Sequence, residues 1–322
     1  MMKHKLAYLG PSGSFTHQAA LAYVQKLESH FSDLELQACE DANSIFQHVS
    51  HHEQFGVIAW ENNVEGYVVP NLDALIDSEN IVGIGRIGTP VHFNAFCLKN
   101  DFANGEDIAD CEVLAHPHGL AQCKNFIRQH HLHVQNTTSN AAACRDLQAG
   151  QLALAPEICE TIYPHIRVLK RNVQDYVGAR TDFLLLAPRN QARSILEQCG
   201  SDAQDFESII AFIPLSTGSG VLANLLNVLR DAGLNMTSFI SRPIKGHDGT
   251  YSFIATIDAA PWQENLRSVL RTILQRGDWV KTLAVYERRE LPNPPVNEWM
   301  LPEGGARDMN AGQQLLERQM LW

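Results

Sequence analysis

Along the first 188 residues, short apolar runs alternate with stretches of helical periodicity, and that alternation confines the segment to an α/β architecture. The runs fall at 5–9, 56–60, 91–98, 113–115, 152–155 and 183–187. Helical patterns predicted at 44–51, 120–130, 140–148 and 156–163 separate most of them. The chain opens as strand, glycine turn and helix: Gly10-Pro11-Ser12-Gly13-Ser14 is turn chemistry, and Ala19, Ala20, Leu21 and Val24 suit a buried helical stripe.

A different pattern follows a polar stretch at 189–206, which reads as a linker or a capping helix. Strands are predicted at 208–214, 235–242, 250–258 and 280–286, with amphipathic helices at 220–232 and 262–276. Gly233 suits the C-cap of the first helix, and Gly246-His247-Asp248-Gly249 a hairpin turn. The order βαββαβ is the ferredoxin-like unit. The expected organisation is therefore an α/β domain at 1–188, a linker at 189–206, the βαββαβ domain at 207–288 and a tail at 289–322. The tail is punctuated by Pro and Gly and ends in a short helix predicted at 315–322.

Composition narrows the function classes. Lys and Arg number 25 against 36 Asp and Glu, and the net charge of −11 disfavours a general nucleic-acid binder. No apolar stretch reaches the length of a membrane span, and the first residues carry too short an apolar run for a signal peptide. The seven cysteines are scattered without a C-x-x-C, which suits reduced thiols in a cytoplasmic protein.

Several turns carry chemistry. Gly10 to Thr16 joins a strand to a helix, where free backbone N–H groups attract anions and the Ser14 and Thr16 hydroxyls can add donors. It also reads as an ordinary N-cap. Glu61-Asn62-Asn63-Val64-Glu65-Gly66 directly follows an apolar run, at the strand end where α/β sheets bind ligands. It also reads as a solvated turn. His116-Pro117-His118 suits a turn and cap better than a metal site, because no third ligand has an evident spacing.

Taken together and in order, these segments resemble the prephenate dehydratase family in its two-part form with a C-terminal ACT domain. The resemblance covers residues 6–286. Tyr8 to Thr16 is similar to the family's opening, Gly-Pro-x-Gly followed by hydroxyl, aromatic and hydroxyl residues. Glu61 to Val68 resembles E-N-S-x-x-G-x-V, and His116 to Cys123 resembles H-P-x-x-x-x-Q-C. Thr181-Asp182-Phe183 falls at the family's T-R-F, and Ser241-Arg242-Pro243 at the end of its E-S-R-P. The resemblance implies a two-lobed, periplasmic-binding-protein-like catalytic domain followed by the ACT domain. It implies decarboxylating dehydration of prephenate to phenylpyruvate in the cleft, with no cofactor and no metal. Thr181 takes the place of the catalytic Thr. Ser14, Phe15, Thr16, Glu61, Asn62, Asn63, Ser139, Arg180 and Phe183 are the expected substrate contacts. Ser219, Gly220, Val221, Leu222, Ser241, Arg242 and Pro243 are the expected effector site, with phenylalanine as effector in a homodimer or homotetramer. Asp182 stands where the family usually has Arg, Asn63 where it has Ser, and Ile240 where it has Glu. An arogenate dehydratase, a prephenate decarboxylase-like paralogue and a non-catalytic small-molecule sensor are the alternatives.

Overall fold

The opening glycine turn joins β1 (Lys5–Leu9) to α1 (Phe15–Leu27) in the computed structural model, which describes residues 4–27, 31, 34–52, 54–102, 107–199, 205–288, 295–303, 305–306 and 313–321. Ala19, Ala20, Tyr23 and Leu27 form the buried stripe of α1. The Tyr23 hydroxyl donates to the Phe183 carbonyl. The chain continues through β2 (Glu35–Cys39), α2 (Ala42–His52), β3 (Phe55–Asn62), β4 (Gly66–Tyr67), α3 (Val69–Asp77) and β5 (Ile81–Pro90). It then leaves for a second lobe: β6 (Asn94–Leu98), β7 (Glu112–Ala115), α4 (Pro117–Gln122), α5 (Lys124–Gln129), β8 (His133–Asn136), α6 (Asn140–Arg145), β9 (Gln151–Ala155), α7 (Cys159–Ile162) and β10 (Ile166–Lys170). It returns in β11 (Arg180–Pro188), which pairs antiparallel with both β5 and β3.

Two lobes follow from two sheets. The second lobe holds the five strands β10-β6-β9-β7-β8. The chain crosses between lobes twice, and the crossings are bonded to each other: Val91 N donates to Ala179 O at 2.7 Å. Asn63 clamps the same place. It donates from Nδ2 to Gly178 O at 2.9 Å and accepts the Arg180 N–H on Oδ1 at 2.8 Å.

The 189–206 stretch, expected as linker or capping helix, forms α8 (Arg189–Cys199) with Ala192 and Ile195 buried. Residues 200–204 lie outside the described residues. The βαββαβ unit follows: β12 (Phe206–Ile213), α9 (Val221–Asp231), β13 (Met236–Pro243), β14 (Tyr251–Ile257), α10 (Glu264–Gln275) and β15 (Trp279–Glu287). Its strand order is β13-β14-β12-β15, the ferredoxin-like arrangement. Gly233 ends α9 at φ 68°, a conformation other residues adopt at a cost, and donates to Arg230 O.

The sheet does not stop at the edge of this unit. β15 lies parallel to β5, with Ala284 opposite Gly83, so β13-β14-β12-β15-β5-β11-β3-β1-β2 is one path in a ten-stranded sheet. Gly83 permits the approach, since a Cβ there would sit 2.7 Å from the Ala284 Cβ. The central strand β12 is buried on both faces, which explains its continuous apolar run. Ile210 and Phe212 pack under α9 and α10, while Ile209 and Ala211 pack with Leu72 and Leu75 of α3. Residues 1–288 form one compact unit. Residues 289–322 form another, which contains a 3₁₀ turn at Glu298–Met300 and α11 (Gln313–Met320). Trp322 lies outside the described residues. No helix among the described residues is long and apolar enough to cross a membrane.

Candidate active site

A strand alternates its side chains between faces, and β11 uses both faces at once. Thr181 and Phe183 face a cleft of about 750 Å³ between the lobes, whereas the Asp182 carboxylate lies outside its lining and bonds Arg86 and Arg180. The cleft is also lined by Ser14, Phe15 and Thr16 from the start of α1, Asn62 and Glu65 from the first lobe, and His116, Gln122 and Ser139 from the second. Sequence reasoning therefore placed Thr181, Ser14, Phe15, Thr16, Asn62, Ser139 and Phe183 in one cavity.

Glu61, Asn63 and Arg180 are not in that lining. Glu61 pairs with Arg86 at 3.5 Å, behind the sheet. Asn63 is the hinge clamp. Arg180 donates from Nε to Asp182 at 2.8 Å, crossing the space left open by Gly88. The proposed role of Ser14 as a donor also changes. Its hydroxyl proton goes to Leu9 O and its oxygen accepts the His17 N–H, so the residue caps α1. The Thr16 hydroxyl has no protein partner among the described residues and remains for a ligand.

Hydrogen bonds orient Asn62 against the Thr181 hydroxyl. Asn62 Oδ1 accepts from both Val64 N, at 2.9 Å, and Glu65 N, at 3.0 Å. That orients its amide, and Nδ2 donates to Thr181 Oγ1 at 2.9 Å. With a donor already on the oxygen, the Thr181 O–H is left free to donate elsewhere. Ser139 works similarly. Its Oγ accepts the Ala142 N–H at the start of α6, leaving its own proton available.

Sequence reasoning gave Gln122 and Glu65 no role. Gln122 Nε2 donates across the cleft to Glu65 Oε1 at 2.9 Å, and its Oε1 is buried without a partner among the described residues. His118 Nδ1 lies 3.7 Å from the other Glu65 oxygen. His116 caps α4: its Nδ1 accepts the His118 N–H, and burial, with the neighbouring His118, holds its pKa below the ordinary value. The neutral ring then carries its proton on Nε2. Further clasps join the lobes, with Tyr163 Oη donating to Ser12 O at 2.7 Å and Phe15 packing edge-on to Phe93.

Among the described lining residues there is no Lys and no Arg, while Glu40 and Glu65 are acidic. An anionic ligand is therefore met by neutral dipoles: hydroxyls, amides and the first turn of α1.

The expected effector residues fall in two places. Val221 opens α9 after Gly220 and lines a cavity of about 100 Å³ with Phe212, Pro214 and Arg276. Ser219, Gly220 and Leu222 are not in its lining. Ser241, Arg242 and Pro243 end β13, where Arg242 bonds Asp73 on α3 at 3.2 Å. The same end of α3 receives Lys281, whose Nζ donates to the carbonyls of Leu75, Ile76 and Ser78.

The model of the family described as "Prephenate dehydratase" matches residues 6–191. The prephenate dehydratase of Amycolatopsis methanolica is 31% identical over 292 residues, spanning 89% of this chain and 89% of that one. The bifunctional chorismate mutase/prephenate dehydratase of Aquifex aeolicus is 30% identical over 293 residues, spanning 89% of this chain and 74% of that one. Among solved structures, the prephenate dehydratase of Arthrobacter aurescens in complex with L-Phe superposes with a TM-score of 0.72 at 22% identity, over 90% of this chain and 93% of that one.

Proposed function

The chain belongs to the prephenate dehydratase family, and from that premise we propose how its cleft carries out the reaction. The enzyme converts prephenate and one proton to phenylpyruvate, carbon dioxide and water. The bond from the ring to its carboxylate breaks, the electron pair passes through the ring, and the hydroxyl opposite departs as water. One observation carries the reading: Asn62 donates to Thr181 Oγ1, so the Thr181 proton is left free to donate. Placed against the leaving hydroxyl, that donor neutralises developing negative charge, an assist of the kind general acids supply.

The lack of Lys and Arg among the described lining residues fits the second half of the reaction. A cation on the ring carboxylate would stabilise the group that has to leave as neutral carbon dioxide. Only interactions stronger in the transition state raise kcat. Neutral donors from Thr16, Ser139 and the α1 turn hold the substrate without that penalty. Phe15 and Phe183 supply apolar walls for the ring as it becomes aromatic. A sensor without catalysis has no use for an oriented Thr181 in the cleft.

The βαββαβ unit we read as an ACT domain that binds phenylalanine and lowers the rate. The support is its strand order and the L-Phe carried by the Arthrobacter protein of the same fold. The open edge at β13 suits assembly of a homo-oligomer through this unit. The unpaired thiols among the described cysteines suit a cytoplasmic enzyme. The test is to supply prephenate at neutral pH and follow phenylpyruvate, with and without L-phenylalanine, and with Thr181→Ala beside the wild type. Formation that the variant loses supports the reading. Prephenate left intact refutes it, and prephenate consumed without phenylpyruvate selects decarboxylation instead.

A further inference from the structure

Directly behind Thr181 and Asn62, on the reverse face of the sheet, four charged side chains gather. Thr181 is the register partner of Asn62, and Asp182 of Glu61. One step further the register slips, because β3 carries an extra residue, Trp60, between the partners of Asp182 and Phe183. Bulges of this kind re-aim side chains beside active sites, and they relax the ladder that would otherwise fix the strand. Something else has to hold the two strands here.

Arg86 does so. It stands on β5, reaches across β11, and donates from Nε to Asp182 at 2.8 Å and from Nη2 to Asp182 as well. The same Nη2 lies 3.5 Å from Glu61 on β3. Its remaining arm donates from Nη1 to the Tyr286 hydroxyl on β15 at 3.2 Å. The guanidinium thus bonds to both strands that flank the bulge and to the last strand of the βαββαβ unit. Arg180, on Asp182 Oδ1, completes the cluster at two cations against two anions. The Asp182 and Arg86 side chains are 12% and 22% exposed, so this is an interior pair with a definite geometry.

We propose that Arg86 is a positioning residue for the dehydration: by stapling Asp182 and Glu61 behind the bulge, it sets the directions in which Thr181 and Asn62 face the cleft. Arg86 does not touch substrate, since it is absent from the cleft lining. The proposal rests on the dehydratase reading of the cleft. A fork that binds two strands at once is a property of guanidinium, which a lysine ammonium in the same place does not reproduce.

Arg86→Lys keeps the charge and loses the fork, and Tyr286→Phe keeps the ring and removes the hydroxyl that Arg86 bonds. A misplacement of about 1 Å at reacting groups costs up to ~100-fold. The expected result is a kcat at least about tenfold lower for Arg86→Lys and about two- to fivefold lower for Tyr286→Phe, with KM for prephenate within about threefold of wild type in both. The melting temperature of each variant separates damage to the fold from damage to the site. If kcat per folded molecule is unchanged in both variants while only the melting temperature falls, Arg86 is purely structural and the proposal is wrong. A raised KM at constant kcat overturns it too, since that marks a substrate contact. A wild type that leaves prephenate intact refutes the dehydratase reading itself, and the positioning role goes with it.

Discussion

Asn62→Asp changes one atom type at the centre of the hydrogen-bond chain and leaves its shape. The introduced carboxylate still accepts the N–H groups of Val64 and Glu65, now with charge assistance, so the turn stays formed. Its other oxygen occupies the place of Nδ2, 2.9 Å from Thr181 Oγ1. That contact now requires Thr181 to donate. Its proton turns inward, and the cleft loses its donor although the hydroxyl is still present. Turning the proton back out costs the bond to the carboxylate, about 1.5–3 kcal/mol for a hydrogen bond to a charged group. Since each 1.36 kcal/mol is tenfold in rate, kcat should fall about 10- to 150-fold. A new anion at about 6 Å from a bound carboxylate adds ~0.7–3 kcal/mol of repulsion between effective dielectrics of about 80 and 20, which raises KM. Steady-state rates of phenylpyruvate formation across pH separate the two effects. As pH falls through the carboxyl pKa, ordinarily about 4, the acid regains a proton to donate to Thr181, and kcat recovers toward wild type. A variant with kcat within about twofold of wild type at neutral pH, or one whose loss persists unchanged into acid, would refute the argument that Asn62 aims the Thr181 proton.

Two further outcomes follow from packing and burial. His17 accepts the Gly13 N–H on Nδ1 at 3.0 Å and stacks on Tyr8, and burial holds its pKa below the ordinary 6.5. The unfolded chain therefore binds the proton first: the stability is present above pH 6.5 and is lost as pH falls through the folded pKa. Melting curves from neutral to acid pH should be flatter for His17→Gln than for wild type, and parallel curves would show that His17 does not carry the dependence. Gly83→Ala places a methyl 2.7 Å from the Ala284 Cβ, where β5 meets β15. Overpacking of this kind costs about 1–3 kcal/mol, so thermal unfolding should shift down by several degrees while kcat stays near wild type. An unchanged melting temperature would mean that the two strands do not need their close approach.

What the sequence displays depends on where each side chain points. The βαββαβ unit was legible nearly to the residue, because its helices carry clear apolar stripes and its turns carry Gly233, Gly246 and Gly249 at positive φ. The first lobe was legible only where strands are apolar. β2 and β8 alternate poorly, β2 without one fully buried residue and β8 exposed throughout, and β5 is interrupted by Gly83, Gly85, Arg86 and Gly88, which break its apolar run. α3 was missed because its first turn contains Pro70 and its run is short. The cleft residues stood out as motifs, yet the alternation within a motif did not. Glu61 and Asn62 look equally polar in a string of letters, and only the pleat of β3 sends one behind the sheet and the other into the cleft. Gln122 and Glu65 were invisible as a pair because they come from different lobes.

The same pleat explains how Asp182 is tolerated where the resemblance calls for Arg. Beside a dianionic ligand, an anion for a cation would be a swing of several kcal/mol. Position 182 does not meet the ligand. It belongs to the reverse face, where the requirement is electrical balance among buried groups rather than attraction for substrate. An unpaired Asp182 at that depth would cost about 3–5 kcal/mol. Arg86 and Arg180 meet the requirement from β5 and β11, and Gly88 leaves room for the second of them. Burial pulls the Arg86 pKa down, but Tyr286 and Asp182 together more than reverse it, so the guanidinium stays charged across the accessible pH range. Glu61, whose pKa burial raises and Arg86 lowers, is the weaker of its two carboxylate partners, at 3.5 Å against 2.8 Å to Asp182. A buried face of a sheet thus fixes the sum of its charges more tightly than their places. A departure at one motif position is best judged by the charges that face it on the same side of the sheet.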